Sequence, residues 1–197
     1  LNFSGTLSNS QKTLFTQAEQ FWETTLTGYQ PSVNASLLSN IVINAEGTAI
    51  DGVGGTLGSA GPTFGWTIGG YVLASEGDMR FDTADLNNLE SNGSLESVIL
   101  HEMAHVLGLG TLWEANGVYT SGSGQYTGAN ALSLWQTEFG QTSATYIPVE
   151  LGGGPGTAGG HWNEVNNGGA LTGITDTNNN DLRYELMTGW LNSPTFI

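Results

Sequence analysis

The chain has 197 residues, 18 carboxylates against 3 lysines and arginines, a net charge of −15 and no cysteine. That balance makes nucleic acid a poor partner, because the surface repels phosphate backbones, and the missing thiols exclude disulfides and thiolate-held zinc. No apolar run is long enough to span a membrane, and no basic-then-apolar leader opens the chain, so export would require a targeting segment outside these residues. The length allows one substantial core or two lobes sharing a cleft. An acidic, lysine-poor, thiol-free composition suits a secreted, extracellular setting.

In chain order, residues from Ser10 to Leu26 read as a first helix. Leu14, Phe15, Ala18, Phe21, Trp22 and Leu26 supply its apolar stripe, which is expected to cover one face of a sheet. Ile41-Val42-Ile43 reads as a short strand. The glycine-rich stretch from Gly47 to Gly70 reads as short strands with loops. Tyr71–Ala74 and Met79–Asp82 read as two further strands around a Glu76-Gly77-Asp78 turn. Asp82 or Thr83 then opens a short helical segment through Leu89. Asn92-Gly93-Ser94 starts the next helix, with Asn92 or Ser94 as its cap, and Gly108 stops it. Beyond it, residues 115–128 read as loop and Asn130–Phe139 as a helix with Ala131, Leu134, Trp135 and Phe139 inward. The run Gly152–Gly160 is either a flexible connector or a close-packed turn into His161-Trp162; no lysine follows it, so it is not a phosphate loop.

The stretch Val98-Ile-Leu-His101-Glu102-Met-Ala-His105-Val-Leu-Gly108 carries the chemistry. On a helix His101 and His105 stand one turn apart on the same face and can grip one metal ion, while Glu102 can reach a water beside it. A catalytic zinc takes three protein ligands and keeps a position open. The chain has 3 histidines in all, so His161 is the candidate for the third. A glutamate, Glu138 or Glu150, is the alternative.

His101-Glu102-x-x-His105-x-x-Gly108 with a downstream Glu185-Leu186-Met187-Thr188-Gly189 resembles the metzincin metallopeptidases, whose sites end in a methionine-containing turn. Thr111 stands where most of them place the third histidine. The leishmanolysin-like branch inserts residues after the glycine and supplies that histidine later, in a His-Trp pair followed by Glu-Leu-Met; His161-Trp162 and Glu185-Leu186-Met187 are similar in kind and order. The resemblance implies an α+β fold and a single, two-lobed catalytic domain over 1–197. Its upper lobe, 1–108, would hold a twisted mixed sheet with a backing helix and the active-site helix. Its lower lobe, 109–197, would be mostly irregular and carry the third ligand and the Met-turn. It further implies a secreted zinc endopeptidase, acting as a monomer on a protein or peptide substrate that pairs with an edge strand. His101, His105 and His161 would hold Zn2+, Glu102 would be the general base, and Met187 would form an apolar floor. Gly189 occupies the position where some relatives use a tyrosine.

Asp176, Asn178, Asn180 and Asp181 form a calcium candidate, since alternating oxygen side chains can wrap a hard cation. The spacing does not fit an EF-hand, because Asp181 stands where the glycine belongs, and a solvated polar loop is the plainer reading. A non-catalytic binding module with a structural zinc is the alternative from another functional class; its closed site would need no base at Glu102.

Overall fold

The computed structural model describes residues 1–38 and 40–197. Its first unit, Leu1–Thr111, is built on a four-stranded mixed sheet. Strands β1 (Asn2–Gly5), β2 (Val42–Thr48), β3 (Gly58–Ile68) and β4 (Tyr71–Asp82) lie in the order β1-β2-β4-β3. β1 runs parallel to β2 and β2 to β4, while β3 is antiparallel to β4. With four helices, Asn9–Thr25 (α1), Leu86–Asn92 (α2), Leu95–Leu107 (α3) and Ala129–Glu138 (α4), the secondary structure is α+β as expected.

Three strand expectations change. β1 has no apolar alternation in Asn-Phe-Ser-Gly and escapes sequence reading; its place comes from the register Asn2↔Asn44 to Gly5↔Gly47, with Asn2 Nδ2 donating to Asn44 Oδ1 at 3.0 Å. The Gly47–Gly70 stretch contains one 11-residue strand, β3, with a register shift around Pro62–Gly65, rather than several short ones. The Glu76-Gly77-Asp78 turn does not exist: β4 is one strand of 12 residues. Its three middle residues pair with Val42, Ile43 and Asn44 on one side and with Phe64, Pro62 and Gly61 on the other. Gly77 is there for close approach. A Cβ on it would run into the Val106 side chain of α3 and lie 2.8 Å from the Gly61 carbonyl oxygen.

The loop between β2 and β3 is tied down by carboxylates. Asp82 Oδ2 accepts the Asp51 and Gly52 amides at 2.8 and 2.7 Å, and its Oδ1 accepts Ala84 N–H at 2.9 Å. Asp85 Oδ1 accepts Gly54 N–H at 2.9 Å. The amide of Ala84, followed by that of Gly52, holds the Asp82 carboxyl below the usual range. Asp82 therefore anchors a loop instead of opening a helix, and α2 starts at Leu86 and runs past Leu89 to Asn92.

α1 starts with a capping box in which Ser8 and Gln11 bond reciprocally. Its Phe15 is fully buried and packs edge-on against Phe81 of β4 and Phe3 of β1 at 5.0 and 5.6 Å, so α1 covers the sheet. Leu26 lies past its end and is exposed. At the start of α3 the cap is Ser94, one of the two residues expected. Ser94 occupies the cap position without a side-chain bond, and Asn92 ends α2, accepting the Ser94 amide at 3.0 Å. Gly108 stops α3 with φ 112°, in the left-handed region glycine tolerates. The unit extends to Thr111, three residues past the expected boundary, because Leu109 N–H returns to the Ala104 carbonyl at 3.0 Å and the Thr111 hydroxyl to the His105 carbonyl at 2.6 Å.

The second unit, Leu112–Ile197, is mostly turns, with α4 and a two-stranded pair of β5 (Gln125–Tyr126) and β6 (Ile147–Pro148). Trp162 stacks on Trp113 at 4.7 Å, and Tyr126 stands edge-on to both. Trp135 of α4 is buried with Ile147 and Leu182, whereas Leu134, expected inward, is exposed. No helix among the described residues is long and apolar enough to cross a membrane.

Gly77→Ala is expected to destabilise the protein by about 1–3 kcal/mol, the usual cost of overpacking, because the methyl can be seated only by moving α3 off β4. Denaturant titration checks this; an unchanged midpoint would mean that β4 and α3 are not in contact at Gly77.

Candidate metal centre

α3 is apolar on nearly every side: Leu95, Val98, Ile99, Leu100, Met103, Ala104 and Val106 are all buried. Its polar side chains are therefore fixed by the packing around them. His101 and His105 lie one turn apart with their rings at 87° and their Nε2 atoms 3.0 Å apart. His105 Nδ1 lies 2.8 Å from the Leu109 carbonyl oxygen. Since a carbonyl only accepts, that contact puts the proton on Nδ1 and makes Nε2, which faces His101 Nε2, the lone-pair nitrogen.

His161 obeys the same rule. Its Nδ1 lies 2.8 Å from the Thr157 carbonyl oxygen, and burial, partly offset by that bond, lowers its pKa and favours the neutral, ligating imidazole. The glycine run before it is a hydrogen-bonded turn, not a loose connector. Gly153, Gly154 and Gly159 all have positive φ; Ala158 N–H donates to the Gly154 carbonyl, Gly159 N–H to Glu150, and Glu150 N–H to His161, at 2.9, 2.8 and 2.9 Å. Trp162, clamped between Trp113 and Tyr126, fixes the next residue.

One ligand atom from each of His101, His105 and His161 lies within 4.8 Å of the other two. Three imidazoles, two of them held from behind at Nδ1 by carbonyls, are a donor set that zinc accepts, so the residues present fit the ion. Among the described residues no other group of three histidines or carboxylates is arranged this way. Glu138 is exposed on α4, and Glu150 turns its Oε1 to the Gly152 amide.

Glu102 is buried, and among the described residues its Oε2 has no hydrogen-bond partner. Burial pushes the carboxyl up to about 8; a dication on the neighbouring imidazoles would draw it back down. An orphaned buried carboxylate oxygen beside a ligand pair is costly unless something else uses it.

Met187 is buried, and its carbonyl accepts Trp162 N–H at 3.0 Å. Thr188 bridges to Trp162, and a Cβ on Gly189 would lie 3.8 Å from that of His161. The methionine turn thus runs alongside the His161 segment. Two carboxylates hold this turn by its amides: Glu185, which the motif includes without a role, and Glu164, which sequence reading overlooked. Glu185 Oε2 accepts Met187 N–H at 2.6 Å, and Glu164 takes Trp190 N–H on Oε1 at 3.0 Å and the Asn192 amide on Oε2 at 3.2 Å. The only pattern that could have revealed them is acidic residues flanking the turn without a cation nearby.

Asp176 Oδ1 accepts the amides of Asn178 and Asn180, both at 2.8 Å, and its Oδ2 accepts Asn180 Nδ2 at 2.9 Å. Buried Asp181 takes four bonds, from the Thr172 amide and hydroxyl, Gly173 N–H and Arg183 N–H. Both carboxylates are spent on closing their own loop. No protein-family model matches this chain, and no curated protein matches it in sequence.

Burial raises Glu164 to about 7 and, helped by the Glu164 charge, Glu185 to about 8, against an ordinary 4.5. In the unfolded chain both ionise above about pH 4.5, whereas in the folded chain both keep their protons into the neutral range. Unfolding therefore releases protons across that window, and the pair's contribution to stability falls as pH rises from about 4.5 to 8. Glu185→Gln should retain the acceptor for Met187 N–H and flatten the fall in Tm between pH 5 and 8 relative to the parent. Parallel Tm curves for the two proteins would refute the assignment.

Proposed function

We propose that this protein is a zinc-dependent endopeptidase of the leishmanolysin-like metzincin type, secreted, with His101, His105 and His161 as ligands and Glu102 as general base. The observation that carries the reading is the convergence of three imidazoles, each of the two buried ones held at Nδ1 by a carbonyl, beside a buried carboxylate with a free oxygen. A purely structural site would be closed by a fourth protein ligand and would gain nothing from that carboxylate.

When bound, zinc supplies a Lewis acid that polarises the scissile carbonyl and makes the attacking water more acidic. The chain's own residues do the rest. Glu102 takes a proton from the attacking water as the new C–O bond forms, and passes it to the amine nitrogen as the C–N bond breaks. Its burial keeps competing solvent off the carboxylate. β3, an edge strand that touches Glu102 at Gly58, offers backbone groups with which an extended peptide can pair. Met187, on a turn stapled to the His161 segment, contributes a soft apolar surface that is not a ligand. Thr111, at the position of the third histidine in the commoner pattern, instead secures the end of α3 through the His105 carbonyl.

Two substitutions separate the roles. Glu102→Gln should retain stoichiometric zinc and lose peptide turnover by roughly a hundredfold to ten-thousandfold, the range for removing a proton-transfer group. His161→Ala should lose zinc in a competition titration with a chelator, while Glu138→Gln and Glu150→Gln keep it. Equal peptide cleavage by Glu102→Gln and parent would overturn the peptidase reading, and loss of zinc in Glu150→Gln but not in His161→Ala would overturn the ligand set.

A further inference from the structure

Resting on the role proposed for Glu102, we infer that Gly58, the first residue of β3, is a positioning residue whose bare Cα seats the Glu102 carboxylate. A Cβ built on Gly58 would lie 2.8 Å from Glu102 Oε1 and 3.0 Å from both its Cδ and Cγ. Three successive atoms of one side chain thus rest on the space a methyl would fill. Contacts this short do not persist, so either the strand or the side chain must move.

The backbone requires no glycine here. Gly58 is absent from the residues of positive φ, and it sits in regular antiparallel register opposite Phe81. Flanking bonds pin it, since Asp82 N–H donates to the Leu57 carbonyl at 3.1 Å. Alanine at 58 would therefore be compatible with the strand, and the three atoms nearest its methyl would all belong to Glu102. Since the strand is fixed on one side by β4, the side chain gives way. Glu102 is itself buried, so its carboxylate has little room in which to retreat.

Gly61, three residues along the same strand, is the internal contrast. A Cβ there would meet only the Thr111 methyl at 3.7 Å, an ordinary contact. Glycine at 61 is tolerated, whereas glycine at 58 is required by the carboxylate.

The experiment has a catalytic and a non-catalytic arm. In the zinc-loaded protein, Gly58→Ala should lower kcat by about tenfold to a hundredfold, as a displacement of about 1 Å in a reacting group does. KM and the zinc Kd should stay within about twofold. In the second arm, thermal stability is measured for Gly58→Ala, Glu102→Ala and the double variant. Gly58→Ala should lower Tm in the parent and leave it unchanged in the Glu102→Ala background, because the clash has gone; this coupling is read without turnover. Additive Tm changes would overturn the contact itself, and unchanged kcat in Gly58→Ala would overturn the positioning role. If the parent cleaves no peptide while the Tm coupling holds, the peptidase reading fails and the seating of Glu102 by Gly58 stands.

Discussion

α3 has to carry two imidazoles and a carboxylate through a core that offers almost no polar partners, and the features around the site follow from that conflict. The helix buries Glu102 and His105, so these two groups cannot turn to water. Each is answered locally: the carbonyl of Leu109 takes His105 Nδ1, the Thr111 hydroxyl takes the His105 carbonyl, and Gly58 leaves room for Glu102. Burial also removes rotamer freedom, which holds the Nε2 atoms of His101 and His105 3.0 Å apart. The stability of the helix and the precision of the site come from the same packing.

The methionine turn answers the same problem with other means. Where α3 relies on carbonyls and glycine, the turn relies on acidic side chains that accept its amides, with no lysine or arginine ion-paired to them among the described residues. A chain with 3 lysines and arginines has few cations to place beside a buried carboxylate. Burial raises both carboxyls instead, and the turn is held through the amides they accept.

The grouping of the three histidines was legible because composition had already removed the competitors: no cysteine, three histidines, and two of those at helical spacing. The stop at Gly108 was legible for a local reason too, since only glycine is at ease at φ 112°. Other features depend on partners far along the chain. Glu76-Gly77-Asp78 has the chemistry of a turn, yet two neighbouring strands and Val106 impose an extended path on it. Asp82 looks like a helix cap and instead captures amides thirty residues upstream. β1 is too short to show a period. Gly58 is one of 30 glycines, and nothing in its neighbours in sequence distinguishes it from the others; its meaning comes from a helix more than forty positions away.

The parallel pairings of the first sheet impose an order on how it is assembled. β3 and β4 are joined by the two-residue link Gly69-Gly70, both left-handed, so they can zip as a hairpin within about 1–10 μs. β2 can then join β4 only by closing the chain between Val42 and Glu76, and β1 joins β2 only across α1, between Asn2 and Asn44. Each closure costs chain entropy before its hydrogen bonds repay it. The β3–β4 hairpin is therefore the cheapest pairing to close, and β1 completes the sheet across the longest separation in sequence. Until it does, β2 presents an open edge, and Phe15 lacks one of the two rings that enclose it.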